Sequence, residues 1–211
     1  MSIPKIIHYC WFGGGPISAE SQKCMESWKK YCPDYKIIEW NEQNFDISAN
    51  RYARQAYAAK KYAFVSDYAR LAVLYEYGGI YLDTDVELVR PLDELLEHKG
   101  FIGMEHSMPT PYGRTLLVNT GSGVGAEPGC RMIGKMLAAY RNAAFVQETG
   151  EPDLRTCTQR DIPLFTKAGL QQKNEQQELD GFLVLPTDCF SPFDYVTERM
   201  HRTPRTFGIH Y

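Results

Sequence analysis

Short β-prone apolar runs alternate along this chain with segments whose apolar residues recur every three or four positions, and the alternation predicts a mixed α/β domain. Residues 3–12 (IPKIIHYCWF) read as a first strand, closed by the loop Gly13-Gly14-Gly15-Pro16. Ligands of open α/β sheets collect beyond the carboxyl ends of strands, so His8, Trp11 and these glycines stand where a ligand is expected. Residues 18–32 carry Cys24, Met25, Trp28 and Tyr31 at helical spacing, with Ser18 as N-cap and Pro33 as the stop. Residues 36–40 (KIIEW) form a second strand, 41–50 are turn-rich and 51–62 are helical. Beyond residue 90, a short helix is expected at 91–98, a strand at 100–105 and a helix at 129–140. Between the last two, 116–125 begin as a strand and give way to small residues, where the backbone approaches a ligand or another strand closely. Residues 171–178 read as a solvated helix or loop, 182–186 as a strand and 189–195 as an aromatic loop. The strand-like end, 206–211, implies that residues were lost or that the end is pinned in the sheet.

The pattern is most informative over 64–89 (FVSDYARLAVLYEYGGIYLDTDVELV). Phe64, Tyr68, Leu71 and Tyr75 give a helix over 63–77 one apolar stripe. Asp67 and Arg70, at i and i+3, sit on its flank beside Leu71 and Leu74; the plain expectation for them is an exposed ion pair worth about 0.2–0.5 kcal/mol. Gly78 suits a left-handed cap and Gly79 a sharp turn, after which Ile80-Tyr81-Leu82 enters the sheet. Asp83-Thr84-Asp85 follows. An extended triplet aims both carboxylates to one side, and a turn also brings them together. Carboxylates so close repel unless a cation lies between them. Oxygen ligation suits Mg2+ or Mn2+, which keep open positions for water and substrate phosphates. Short acidic triplets at strand ends are usually only solvated; the apolar strand before this one and Val86-Glu87-Leu88-Val89 after it favour a site.

Composition narrows the classes. The 211 residues, 44% apolar and 23% charged, suffice for one domain with a real core. A net charge of -3 and no long basic run argue against a nucleic-acid surface, while leaving room for a nucleotide. Six cysteines without a CxxC pair read as buried free thiols in a reducing compartment. Pro4, Lys5 and His8 interrupt what would be the core of a signal peptide, and no apolar run approaches the ~20 residues of a membrane span. A cytoplasmic protein is expected, with peripheral association at the inner face of the membrane left open.

The segment AFVSDYARLAVLYEYGGIYLDTD, residues 63–85, resembles the signature of the DXD-containing glycosyltransferases of family 32, in its combination of S-D-x-x-R with G-G-x-Y-x-D-x-D. The opening IPKIIHYCWFGG and the ending GIHY are similar to that family's first and last segments. The resemblance implies a GT-A nucleotide-diphospho-sugar transferase fold, a single mixed-sheet, Rossmann-like domain over 1–211. It also implies a retaining, metal-dependent transfer of a hexose from a nucleotide diphosphate sugar to a saccharide or lipid-linked acceptor. UDP-hexose is preferred and GDP-mannose is the other donor. By the same resemblance Asp85, Asp83 and His210 hold Mn2+ or Mg2+. Asp67, Arg70 and Asp83 act on the donor sugar and diphosphate, Trp11 lies against the base, and Asn119 reaches the donor sugar. The tryptophan-bearing tail that commonly follows the histidine is missing after Tyr211, so the loop that closes over the donor is expected to be absent and activity weak.

Two other readings fit parts of the sequence. An aspartate-dependent phosphohydrolase also ends an apolar strand in DxD, although it usually has Thr or Val where Glu87 stands and a later acidic pair that is lacking here. A carbohydrate-binding module that keeps the fold without catalysis is the other.

Overall fold

The computed structural model describes residues 2–211. The chain runs β1 (Ile6–Cys10), α1 (Ala19–Tyr31), β2 (Lys36–Trp40), α2 (Arg51–Ala58), α3 (Tyr62–Tyr77), β3 (Gly79–Tyr81), β4 (Val86–Leu88), β5 (Gly100–His106) and β6 (Leu116–Ala126). It continues through α4 (Arg131–Ala139), α5 (Cys157–Lys167), β7 (Gln177–Leu179), β8 (Phe182–Leu185), α6 (Thr187–Phe190), β9 (Phe193–Asp194), β10 (Arg199–Met200) and β11 (Gly208–His210). Seven strands form one sheet in the order β2-β1-β3-β6-β5-β8-β7. β1 is parallel to both β2 and β3, β6 runs antiparallel between β3 and β5, and β8 is parallel to β5. The expected mixed-sheet α/β fold is what the chain adopts.

Two apolar cores sandwich the sheet. One gathers Tyr52, Val65, Leu74, Ile133 and Phe165 from α2 to α5. The other gathers Trp28 of α1, Val86 and Leu88 of β4, Phe190 of α6 and Ile209 of β11. β4 and β11 form their own antiparallel ribbon, so the chain's end is pinned, but outside the main sheet. Among the described residues no helix is long and apolar enough to cross a membrane. All six cysteines are unpaired; Cys157 is half-buried and the other five are buried.

Several expectations need correction. The helix expected over 51–62 stops at Ala58, because Lys60 takes a positive φ of 57° and α3 restarts at Tyr62. The apolar stripe of α3 is only part of the face that it buries: Leu71 is buried and Phe64 and Tyr68 pack partly buried against the core. Val65, Ala69, Leu71, Val73 and Leu74 are buried with Asp67 and Arg70, whereas Tyr75 is 42% exposed. This helix packs on α2, α4 and the sheet at once, so burial wraps round it and one stripe cannot describe it. Arg70 and Asp67 are only 3% and 7% exposed, which overturns the surface ion pair. His8 meets no ligand either, being fully buried; its Nε2–H donates to the Gly78 carbonyl (2.8 Å) and its Nδ1 accepts from the Trp40 indole (3.0 Å). Burial lowers its pKa to about 4, so this neutral imidazole braces the glycine turn.

Candidate active site

Gly78 and Gly79 turn the chain out of α3 at positive φ, and β3 carries it to Asp83 at the carboxyl end of the sheet. Of the two conformations open to the acidic triplet, the chain takes the turn: the Val86 amide donates to the Asp83 carbonyl at 3.1 Å. β6 meets it from the other side. In the β5–β6 pairing Ile102 faces Val124 but Gly103 faces Asn119, so residues 120–123 bulge away from β5. The bulge brings the Gly121 carbonyl within 2.9 Å of the Asp83 amide.

The Asp83 carboxylate is held by two side chains that also pack on each other. Arg70 Nη2 lies 3.1 Å from its Oδ1, the Tyr81 hydroxyl donates to the same oxygen at 2.9 Å, and the Arg70 guanidinium lies 4.7 Å from the centre of the Tyr81 ring. Arg70 Nη2 also lies 3.4 Å from Asp67 Oδ1, and Nη1 donates to Thr120 Oγ1 at 3.1 Å. Asp85 is different: its Oδ1 is buried yet accepts no hydrogen bond, and His210 Nε2 stands 3.5 Å away. Burial pushes the Asp85 carboxyl up and the neighbouring Asp83 charge adds to this, while His210 pulls it back. β11 delivers that histidine by pairing His210 with Val86, one residue past Asp85. Ligand atoms of Asp83, Asp85 and His210 all fall within 4.8 Å of one another. An orphaned, buried carboxylate oxygen in a two-oxygen, one-nitrogen set fits a divalent cation.

Of the other residues singled out from sequence, Asn119 closes on this cluster, its Oδ1 accepting from the Gly121 amide (2.7 Å) and its Nδ2 donating to Glu105 Oε2 (2.6 Å). Each end of that side chain makes one bond and keeps a second lone pair or hydrogen for another partner. Trp11 is half-buried, and its indole N–H donates to the Gly15 carbonyl at 2.6 Å, folding the glycine loop back on the strand end.

Sequence reasoning missed the layer behind Arg70. α5 was not anticipated, although its capping box, Thr156 with Gln159, stands in the sequence as T-x-x-Q. This helix sets Cys157 Sγ 3.8 Å from Arg70 Nη1. It also buries Asp161 completely, with neither carboxylate oxygen hydrogen-bonded. Burial raises Asp161 to about 8 and Asp67 to about 6, each helped by the charge of Asp83 or of the other. The two carboxyls titrate as a pair that keeps a proton near neutrality. With that proton on Asp161, Asp67 is ionised at neutrality and shares Arg70 with Asp83.

Residues 18–102 match the family model described as a glycosyltransferase sugar-binding region containing a DXD motif. Inositol phosphoceramide mannosyltransferase 3 of Schizosaccharomyces pombe is 32% identical over 112 residues, which are 48% of this chain and 29% of that protein. Mannosyl phosphorylinositol ceramide synthase SUR1 of Saccharomyces cerevisiae is 31% identical over 111 residues, 47% of this chain and 27% of that protein. The chain thus spans less than a third of either curated relative. Among solved structures, the PaToxG glycosyltransferase aligns with a TM-score of 0.53 at 24% identity, over 80% of this chain and 72% of that one, a likeness of fold. Residues 18–102, which contain Asp67, Arg70 and both aspartates of the triplet, are thus similar to the sugar-binding region of the DXD-containing glycosyltransferases.

Proposed function

We propose that the chain is a retaining glycosyltransferase that moves a hexose from a nucleotide diphosphate sugar to a saccharide or lipid-linked acceptor, with a divalent metal at Asp83, Asp85 and His210. The observation that carries this reading is the unpartnered, buried Asp85 Oδ1 facing His210, while the neighbouring Asp83 is already engaged by Arg70 and Tyr81. Asp85 is then the chief ligand, and the imidazole favours Mn2+ over Mg2+. Lewis-acid stabilisation of the departing diphosphate is what such an ion supplies when bound there.

The chain's own residues do the rest. Arg70, buried and locked by Asp83, Asp67 and Thr120, presents a fixed cation to developing negative charge without reorganising. Asp67 holds donor-sugar hydroxyls and offsets positive charge at the anomeric carbon. Trp11, at the mouth of the glycine loop, offers its ring face to the base. The retaining route that we favour is same-face attack assisted by the leaving phosphate. Asp83 is poorly suited to act as a phosphohydrolase nucleophile, because its Oδ1 is held by a guanidinium and a phenol.

The relatives' names speak of mannosyl transfer, which puts GDP-mannose beside UDP-hexoses as donors to test. The test is release of nucleotide diphosphate from a panel of UDP- and GDP-sugars with and without Mn2+. One donor should be turned over, Mn2+ should be required, and Asp85→Asn should lower the rate by about a hundredfold or more. A variant as fast as the parent in Mn2+, or turnover indifferent to chelation, overturns the reading.

A further inference from the structure

A cavity of about 340 Å³ opens beside the acidic cluster, and no donor contact proposed above uses it. Its lining includes Glu105 of β5 and His210 of β11, the histidine that completes the acidic cluster. The Tyr195 hydroxyl donates to the His210 carbonyl at 3.4 Å and lies where the charges of both Asp85 and Glu105 act on it. The cavity therefore begins where the donor chemistry is placed.

Its walls show what it can hold. Arg114 Nη1 is paired with Asp194 Oδ2 at 2.7 Å, and Arg205 Nε with Asp188 Oδ2 at 2.6 Å. Asp188 Oδ2 also accepts from Thr203 Oγ1 at 2.7 Å. Each arginine thus has its own carboxylate. Counting histidines as neutral, two arginines against Glu105, Asp188 and Asp194 leave the lining at -1. A phosphorylated ligand would add negative charge to a lining that is already net negative, with both arginines paired to carboxylates, and a lipid chain would meet mostly polar side chains. A ring bearing many hydroxyls would meet fixed donors and acceptors. It would also meet an aromatic edge, since Tyr195 is 57% exposed and its ring packs at 4.9 Å against Phe193, suited to the C–H face of a sugar.

We propose that this cavity is the acceptor subsite and that it takes a neutral, unphosphorylated sugar ring, with the reacting hydroxyl at the His210 end. The inference rests on the glycosyl-transfer reading above. In the step that it serves, the acceptor oxygen bonds to the anomeric carbon as the bond from that carbon to the diphosphate breaks. The diphosphate leaves with the electron pair, and the acceptor's proton passes to a diphosphate oxygen.

The experiment uses the full chain and whichever donor the panel identifies, with neutral methyl hexosides and the matching hexose 1-phosphates as acceptor probes. The neutral glycosides should accept the sugar and the phosphates should not. Tyr195→Ala should raise KM for the neutral acceptor about three- to tenfold, as loss of a stacking ring does, with less than a twofold change in KM for the donor. Tyr195→Phe, which keeps the ring, should restore most of that loss. Glycosylation of the phosphorylated probes alone, of none of the probes, or an acceptor KM unmoved by Tyr195→Ala, overturns the subsite while donor turnover still stands. Absence of nucleotide release from every donor by the parent chain overturns the transfer reading and the subsite together.

Discussion

The position of Asp83 depends on a missing side chain elsewhere. A Cβ on Gly121 would lie 2.1 Å from Asp83 Oδ2, far inside any contact, although Gly121 needs no unusual φ. The glycine is there because a carboxylate occupies the space that its side chain would fill. Gly121→Ala must therefore displace either the bulge of β6 or the aspartate, and the aspartate is the easier to move because its side chain can rotate. The expected outcome is loss of about tenfold or more in donor turnover, with melting temperature lowered by only a few degrees, read by nucleotide release and thermal unfolding. Full activity in this variant would show that Asp83 can leave Arg70 and Tyr81 without consequence. Mutating the arginine is a different perturbation: Arg70→Lys loses the fork that bonds Thr120 and the carboxylates together and leaves buried acids poorly matched, so it should cost both stability and activity.

At the scale of elements, what the sequence reveals is what is local. Glycine punctuation, the D-T-D triplet and the end of α3 all lie within a few residues of one another, and each was readable from spacing. The turn at Asp83–Val86 and the burial of Asp67 were not, because the first is selected by the β6 bulge and the second by α5, which packs on β6 from far along the chain. The glycines of β6 did announce a close approach, though not whether to ligand or strand; Gly123 and Gly125 make room for Phe190 and Phe101, and Gly121 for Asp83. Most distant is the β4–β11 ribbon, in which three residue pairs set His210 beside Asp85. Ile209, 5% exposed, anchors that strand in the core while its neighbour His210 turns to the site. Ile209→Ala should thus cost about 2 kcal/mol of stability and, by loosening the strand, weaken Mn2+ binding as well. Calorimetric titration of Mn2+ into both proteins checks this; unchanged affinity with lowered stability would mean that His210 keeps its place without the ribbon.

His8 and the Asp67–Asp161 pair make the stability of the whole molecule depend on pH in opposite senses. His8, held neutral by burial with a pKa of about 4, takes up a proton more readily when the chain unfolds, where its pKa returns to about 6.5. Its contribution is fully present above pH 6.5 and is lost as pH falls towards 4. The Asp67–Asp161 pair behaves the other way. Its folded carboxyls, raised to about 6 and about 8, hold protons that the unfolded chain, with carboxyl pKa values near 4, has already released. The folded state is therefore favoured at low pH and loses stability as pH rises from about 4 to 8. Asp153, held far below the usual range by Arg155 and Arg160, adds slope only at the acid end of this interval, where the unfolded carboxyl still titrates. Between pH 4 and 6.5 the histidine and the carboxyl pair oppose each other, and above 6.5 the histidine drops out while the pair continues to act, so the melting temperature should fall over the upper interval. Asp161→Asn, which cannot ionise, should flatten that fall and raise the melting temperature at pH 8 by about 4 °C or more. His8→Gln should leave the upper interval alone and remove the rising component between pH 4 and 6.5. Melting curves of the three proteins across this range decide the matter, and an unchanged slope between pH 6.5 and 8 in Asp161→Asn would mean that the pair behind Arg70 is ionised throughout.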